Sequence, residues 1–409
     1  MINIGRPVKD IQIDSNTAIE KIFQELSHSG GFESVNLSDG LEILTEMISD
    51  EKCLKFISFV GAIVSTGLRG IIKDMMKNKW FDVGITTCGA LDHDIDFVCG
   101  FDVAENKVGT PLIDAIYASP NMVNWIAKND MPKTDAKIYE SPLLDGVGIW
   151  VENKINPLTS TKTIEQLTSE AKQILKDTGV EVIVSYLPVG SDKVTAFWAQ
   201  MCLDTNTAFV NCIPSFIASD ETWAKKFQEK NIPCIGDDIK GQVGATIVHR
   251  TLAKLCSDRG TKIEKTYQIN VGGNTDFLNM KEQDRLVSKR ISKTESVQSQ
   301  LKERLDDDQI YVGPSDFIPF LGNTKLMFMR IEGRQWANIP YNMEVRLEVD
   351  DKANSAGIVI DAIRLAKIAL DGKIGGPIKP ASAYLMKHPI EQTSDVQAKA
   401  DCEKFVTGN

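Results

Sequence analysis

The chain has 409 residues, 42% hydrophobic and 25% charged, which fits a soluble globular protein of two or three domains. A formal net charge of -10 excludes broad nucleic-acid binding, which needs a basic surface. No apolar run is long enough to span a membrane and the opening MINIGRPVKD lacks a signal core, so an intracellular, cytoplasmic protein is expected.

The first 50 residues read as two amphipathic helices around a Gly-Gly turn, with Ser15 or Asn16 capping TAIEKIFQEL and Ser38 or Asp39 capping GLEILTEMI. CLKFISFVGA and WFDVGITTCGA read as buried strands flanking the helical TGLRGIIKDMMKNK, a strand–helix–strand unit of the parallel kind. DIDFVCGFDV follows almost at once as another strand. Parallel neighbours need a crossover of about a dozen residues, so this junction cannot be an ordinary parallel connection.

Alternation then resumes. TKTIEQLTSEAKQILKDTG, KVTAFWAQMCLDTN, ETWAKKFQEKN and GQVGATIVHRTLAKLCSDRG read as helices between the strands VEVIVSYLPVG, AFVNCIPSF and IPCIGDD, a doubly wound parallel sheet. After Lys262 the strands TYQINVGG, KLMFMRIEGRQW and NMEVRLEVDD follow one another, as in an inserted α+β domain. NSAGIVIDAIRLAKIALDGK forms a long helix, and the polar tail beyond Ile390 is expected to be loose.

Eight scattered cysteines without a Cys-x-x-Cys pair read as buried thiols. The four histidines share no metal spacing, so no metal site is expected and chemistry falls to Lys, Asp and backbone groups. Asp102 ends a strand, where a nucleotide-binding fold grips a ribose hydroxyl, but no G-x-G-x-x-G turn stands roughly 20 residues before it. The small-residue turns Gly61-Ala62-Ile63-Val64-Ser65 and Thr87-Cys88-Gly89 are the nearest substitutes for a phosphate cradle. Downstream, GDDIKGQ places Asp238 at a strand end, and NVGGNTDFLNM places Asp276 after a turn that only glycines enter cheaply. SKRISK puts Lys289 and Lys293 on one helix face, while LGNTK, EVDDKANS and YLMKHP present Lys325, Asp351 and Lys387. Several of these stand at strand ends, where α/β enzymes keep their sites.

From about Asp94 to Pro389 the sequence resembles the inositol-phosphate synthase family. The motifs FDVAENKVG, SYLPVGS, GDDIKGQ, GGNTDFLNM, SKRISKT, FLGNTK, RLEVDDKANSAG and YLMKHP occur in that family's order. The resemblance implies a Rossmann-like domain over 94–261 completed by 354–409, and a catalytic and tetramerisation domain over 262–353. It implies an NAD-dependent isomerase that converts glucose 6-phosphate to inositol 1-phosphate by oxidation, enolisation, intramolecular aldol closure and reduction. Asp102 would hold the adenosine ribose. Ser185, Leu187, Pro188, Pro214 and Ser215 would line the NAD site. Lys289, Lys293, Lys325 and Lys387 with Asp238, Asp276 and Asp351 would form the catalytic pocket, Lys293 and Lys387 clamping the phosphate.

Residues 5–95 instead resemble the N-terminal part of deoxyhypusine synthase, an NAD-binding aminobutyl transferase, by GRPVKDIQI and by the segment from KFISFVGA to LDHDI. By that likeness Gly61, Ala62, Ser65, Thr87, Cys88 and Gly89 would be NAD-contacting turns, and 1–93 would be a foreign segment on a fused chain. The alternatives to the cyclase are accordingly an aminobutyl transferase and a chimera without turnover.

Overall fold

A computed structural model describes residues 21, 32–50, 52–53, 55–59, 75, 78–81, 83–86, 95–122, 126–131, 134–282 and 287–407. The chain falls into two units, Met1–Asp96 and Phe97–Asn409.

In the first unit a helix, α1 (Phe32–Ser49), precedes two strands, β1 (Phe56–Phe59) and β2 (Val83–Thr86), which pair in parallel with Phe56 opposite Val83. That is the pairing a strand–helix–strand unit demands. Ser38 and Asp39 lie inside α1 rather than at its start, correcting the expected cap; single polar residues cost a helix only a few tenths of a kcal/mol each. Apart from Lys21, the first expected helix lies outside the described residues, as do the turns at Gly61, Ala62, Ser65, Thr87, Cys88 and Gly89.

The second unit opens with β3 (Cys99–Asp102), α2 (Leu112–Tyr117) and β4 (Lys137–Glu140); β3 and β4 pair in parallel, with Asp102 opposite Glu140. Then come α3 (Ile164–Asp177), β5 (Val182–Ser185), α4 (Asp192–Thr205), β6 (Ala208–Asn211), α5 (Glu221–Glu229), β7 (Pro233–Ile235) and α6 (Ala245–Asp258). The start of α3 is a capping box: Gln166 N donates to Thr163 Oγ1 and Thr163 N donates to Gln166 Oε1. All of β6 is buried. Phe209 faces one core with Trp198 and Phe227, and Val210 faces the other with Ile235 and Ala366, as a strand covered on both sides must.

A second sheet follows, built from β8 (Lys262–Gly272), β9 (Ile310–Phe317), β10 (Thr324–Arg334) and β11 (Pro340–Asp350) in the order β11-β10-β8-β9. Between β8 and β9 run α7 (Thr275–Asn279) and α8 (Val287–Gln298). Strand β9 escapes a pattern reading because Gly313 and Pro314 interrupt it. It runs parallel to β8 at the sheet edge, with a register shift at Asn270/Val271, and an edge tolerates proline. One face of this sheet meets α6 and α8 through Met327, Met329, Ile331, Ala253 and Val297.

Asp350 caps α9 (Asp351–Asp371), which returns to the parallel sheet and leads to β12 (Gly376–Pro377) and α10 (Lys379–Leu385). The tail is not loose: α11 (Asp395–Thr407) packs on α10 and buries Ala398 and Cys402, an i, i+4 pair that a polar composition disguises.

The parallel strands form two sheets, β3-β4 and β12-β7-β6-β5. The usual doubly wound order is 3-2-1-4-5-6. Among the described residues of this unit the two pieces match strands 2 and 3, and strands 4 onward, with nothing in the position of strand 1.

Candidate active site

The site begins where β7 ends. Gly236-Asp237-Asp238 turns sharply, with Asp238 in the left-handed region at φ 62°, a conformation aspartate tolerates better than most residues. Backbone hydrogen bonds fasten this turn on both sides. Lys387 N donates to Asp238 O at 2.7 Å and His388 N to Asp237 O at 3.0 Å, while Asp238 N donates to Ile213 O at 3.1 Å. The two carboxylates then part company. Asp237, fully buried, accepts from Ile217 N, Ala218 N, Ser219 N, Ser219 Oγ and Asn211 Nδ2 and so shapes the loop after β6. Burial pushes its pKa up to about 6, against the pull of those donors. Asp237→Asn leaves too few acceptors for five donors, so it is expected to lower unfolding free energy by about 2–3 kcal/mol in denaturant melts.

Asp238 points the other way. It accepts Lys387 Nζ at 2.8 Å and Ser292 Oγ at 2.6 Å. Burial alone would raise its pKa, but the ammonium groups of Lys387 and Lys289 hold it below the ordinary carboxylate value. Asp276 stands in the short α7, capped by Asn274, and pairs with Lys289 of α8 at 3.3 Å. Lys325, near the start of β10, pairs with Asp351 at 3.0 Å, and Asn274 Nδ2 donates to the other oxygen of Asp351 at 3.3 Å. The glycine pair before Asp276 is required by space rather than by dihedral angle. Neither glycine has positive φ, but a Cβ on Gly273 would lie 2.4 Å from Gly322 N and 2.5 Å from Ile318 O. That close approach sets the turn carrying Lys325 beside the turn carrying Asp276.

The seven residues anticipated as catalytic therefore converge on one place, with four ammonium groups against three carboxylates. Burial would lower the Lys289 pKa, yet Asp276, Asp238 and Asp351 together raise it. Lys387 is lowered by burial in spite of Asp238. Lys293 carries the imbalance. It is 4% exposed and has no ion-pair partner within 4 Å among the described residues. Burial, then Lys289, Lys325 and Lys387, drive its pKa well below the ordinary lysine value. Asn274, Ser292 and Asp237 were not singled out from sequence. Ser292 had a signal, since it lies one helical turn beyond Lys289.

Beside this cluster lie the C-terminal ends of the parallel strands. Ser185 ends β5; the loop after it carries Leu187 and exposed Pro188, and Asn279 Nδ2 anchors that loop to α7 by donating to Val189 O at 3.0 Å. Pro214 and Ser215 are buried in the loop that Asp237 shapes. Ser185 Oγ is buried without a hydrogen-bond partner, an open site for a ligand group. Asp102 Oδ1 accepts from Val103 N and Ala104 N, while among the described residues Oδ2 meets only Lys107 at 3.0 Å and keeps capacity for a hydroxyl. These features fit a ribose and the far end of a dinucleotide. The glycine-rich phosphate turn is absent from the described residues of this unit.

The family profile described as Myo-inositol-1-phosphate synthase matches residues 244–352, and that of Deoxyhypusine synthase matches 21–114. An inositol-3-phosphate synthase of Mycolicibacterium smegmatis is 48% identical over 320 residues, covering 77% of this chain and 86% of that protein. A probable deoxyhypusine synthase of Picrophilus torridus is 48% identical over 92 residues, covering 22% of this chain and 29% of its own length. The crystal structure of a myo-inositol-1-phosphate synthase-related protein from Thermotoga maritima shares the fold, with a TM-score of 0.60 at 20% identity, covering 87% of this chain and 98% of that one.

Proposed function

The chain belongs to the myo-inositol-1-phosphate synthase family, and on that premise we propose that it cyclises glucose 6-phosphate to an inositol phosphate, with NAD as its cofactor, as a cytoplasmic homotetramer. The observation that carries the mechanism is the convergence of Lys289, Lys293, Lys325 and Lys387 with Asp238, Asp276 and Asp351 from separated motifs.

Bound NAD supplies reversible removal and return of a hydride at the sugar; the protein's groups do the remaining work. The Asp102 carboxylate and Ser185 hydroxyl hold the cofactor's polar groups. The four lysines exceed their carboxylates by one cation, and the substrate phosphate is the counter-charge that Lys293 and Lys387 await. Lys289, kept protonated by three carboxylates, stabilises the oxyanion of the enolised sugar, where a fixed cation in a dry site is most valuable. Lys325, fixed by Asp351, faces the same space from the sheet and suits the developing oxyanion of the ring-closing step. Residues 262–353 supply most of these groups and are assigned to catalysis and assembly, and 94–261 with 354–409 to cofactor binding. Residues 1–93 form the deoxyhypusine-synthase-like segment. An aminobutyl transferase has little support, because the chain spans only 29% of the probable deoxyhypusine synthase it resembles there.

Purified protein supplied with glucose 6-phosphate and NAD is expected to release inositol phosphate, measured by chromatography, and to bind NAD in a fluorescence titration. A folded protein that binds NAD yet forms no product defeats the cyclase reading. Folded protein without NAD binding identifies an inert fusion.

A further inference from the structure

Four cationic side chains cannot crowd together unless something outside the cluster holds their backbones. Lys293 rides on α8. Lys387 sits in the extended segment that follows α10, and its amide is tied to the Asp238 turn. These elements are remote in sequence, and both would relax apart if charge repulsion alone decided their spacing.

Arg250, on α6, is wholly buried and lies outside the cluster. Its Nη1 donates to Ser296 O at 2.7 Å, one turn beyond Lys293 on α8, and to Gln392 Oε1 at 3.1 Å. Its Nη2 donates to Thr393 O at 3.1 Å, and Nε to Asp395 Oδ2 at 3.3 Å. Gln392 passes the contact on, its Nε2 donating to Lys387 O at 2.7 Å. A second buried cation, Lys240, completes the joint by donating to Asp395 Oδ1 at 2.9 Å and Ala383 O at 2.8 Å. One planar fork thus touches the lysine-bearing helix, the lysine-bearing segment and the first residue of the last helix at once. A lysine has three donors around one point and cannot span the same three partners.

We infer that Arg250, acting through Gln392 and Asp395, is a positioning residue that fixes Lys387 against Lys293, and that the C-terminal segment is a working part of the active site. This inference rests on the cyclase reading for its kinetic consequence and on the hydrogen bonds alone for its structural one.

The groups facing Lys387 are Asp238, Lys289, Lys293, Lys325 and, behind the turn, Lys240. Burial with these cations lowers its pKa, so a Lys387 released from the clamp titrates closer to a free lysine, about 10.4. Two variants test this: Arg250→Lys, which keeps the buried charge, and Gln392→Ala, which cuts the link to Lys387 and removes one acceptor of Arg250 while leaving its bonds to Ser296, Thr393 and Asp395. Competitive acetylation with acetic anhydride across pH, read at Lys387 by peptide mass spectrometry, is expected to show its midpoint rising in both variants. The kcat/KM for glucose 6-phosphate is expected to fall about 10-fold in Arg250→Lys and a few-fold in Gln392→Ala, with KM rising more than kcat falls, since the displaced pair is the one assigned to the substrate phosphate. A Lys387 midpoint unchanged in Gln392→Ala overturns the clamp, whatever happens to turnover. If the parent protein makes no inositol phosphate, the cyclase reading falls and the labelling still decides the clamp.

Discussion

Lys293→Met is expected to make the protein more stable and less active at the same time. Lys293 is buried among like charges with no carboxylate in ion-pair range among the described residues, and burial with Lys289, Lys325 and Lys387 disfavours its proton. The unfolded chain keeps that proton at neutral pH, so folding must expel it or bury a charge. Methionine has similar length and no such demand, and a gain of about 1–3 kcal/mol in denaturant melts follows from the cost of a poorly paired buried polar group. The sign with pH is defined. The folded-state pKa lies below the unfolded one, so the penalty is full below the folded pKa and fades as pH rises toward about 10.4. The stability gap between variant and parent should therefore narrow on going from pH 7 to pH 10. Turnover should move the opposite way, with kcat/KM for glucose 6-phosphate falling about 10²–10³-fold as the phosphate loses its counter-cation. A variant that is less stable at pH 7, or that retains full activity, contradicts the assignment of Lys293 to substrate phosphate.

Lys325→Ala is expected to abolish measurable product with only a modest change in melting temperature. Lys325 and Asp351 are each about one-fifth exposed, so the carboxylate left behind is reached by water and keeps its hydrogen bond from Asn274. Among the neighbouring lysines, Lys293 is the one assigned to the substrate phosphate. Lys289 is committed to Asp276 and Lys387 to Asp238. Removal of one fixed oxyanion partner costs about 10²–10³ in kcat. Substrate binding, measured by calorimetry in the presence of NAD, should weaken far less than turnover falls. A loss confined to binding would reassign Lys325 from the reacting oxygens to substrate capture.

Much of this site is legible in the amino-acid sequence, because several of its lysines and aspartates stand next to small or glycine residues near strand ends, and Lys289 and Lys293 share a helix face. What pattern reading leaves out is cooperative. GDDIKGQ contains two adjacent carboxylates, and nothing local says that Asp237 turns inward to five donors while Asp238 faces the lysines; the backbone ties to Ile213, Lys387 and His388 decide it. Gly273 looks like a turn residue, yet its need is room for the backbone around Gly322, a segment some 49 positions away. The polar tail looks loose because the residues its helix buries, Ala398 and Cys402, are small enough to bury without announcing a helix. Arg250 sits in a helix like any charged residue, and only the assembled joint at Asp395 marks it.

Among the described residues of the second unit, two parallel sheets have four outer rims where one continuous sheet would have two. Each rim is a row of backbone donors and acceptors looking for a neighbour, and such rows recruit strands from other molecules. A sheet divided in this way carries a hazard in concentrated solution that is separate from any loss of cofactor grip. Solubility, as much as catalysis, becomes the property on which selection or an engineer would have to act.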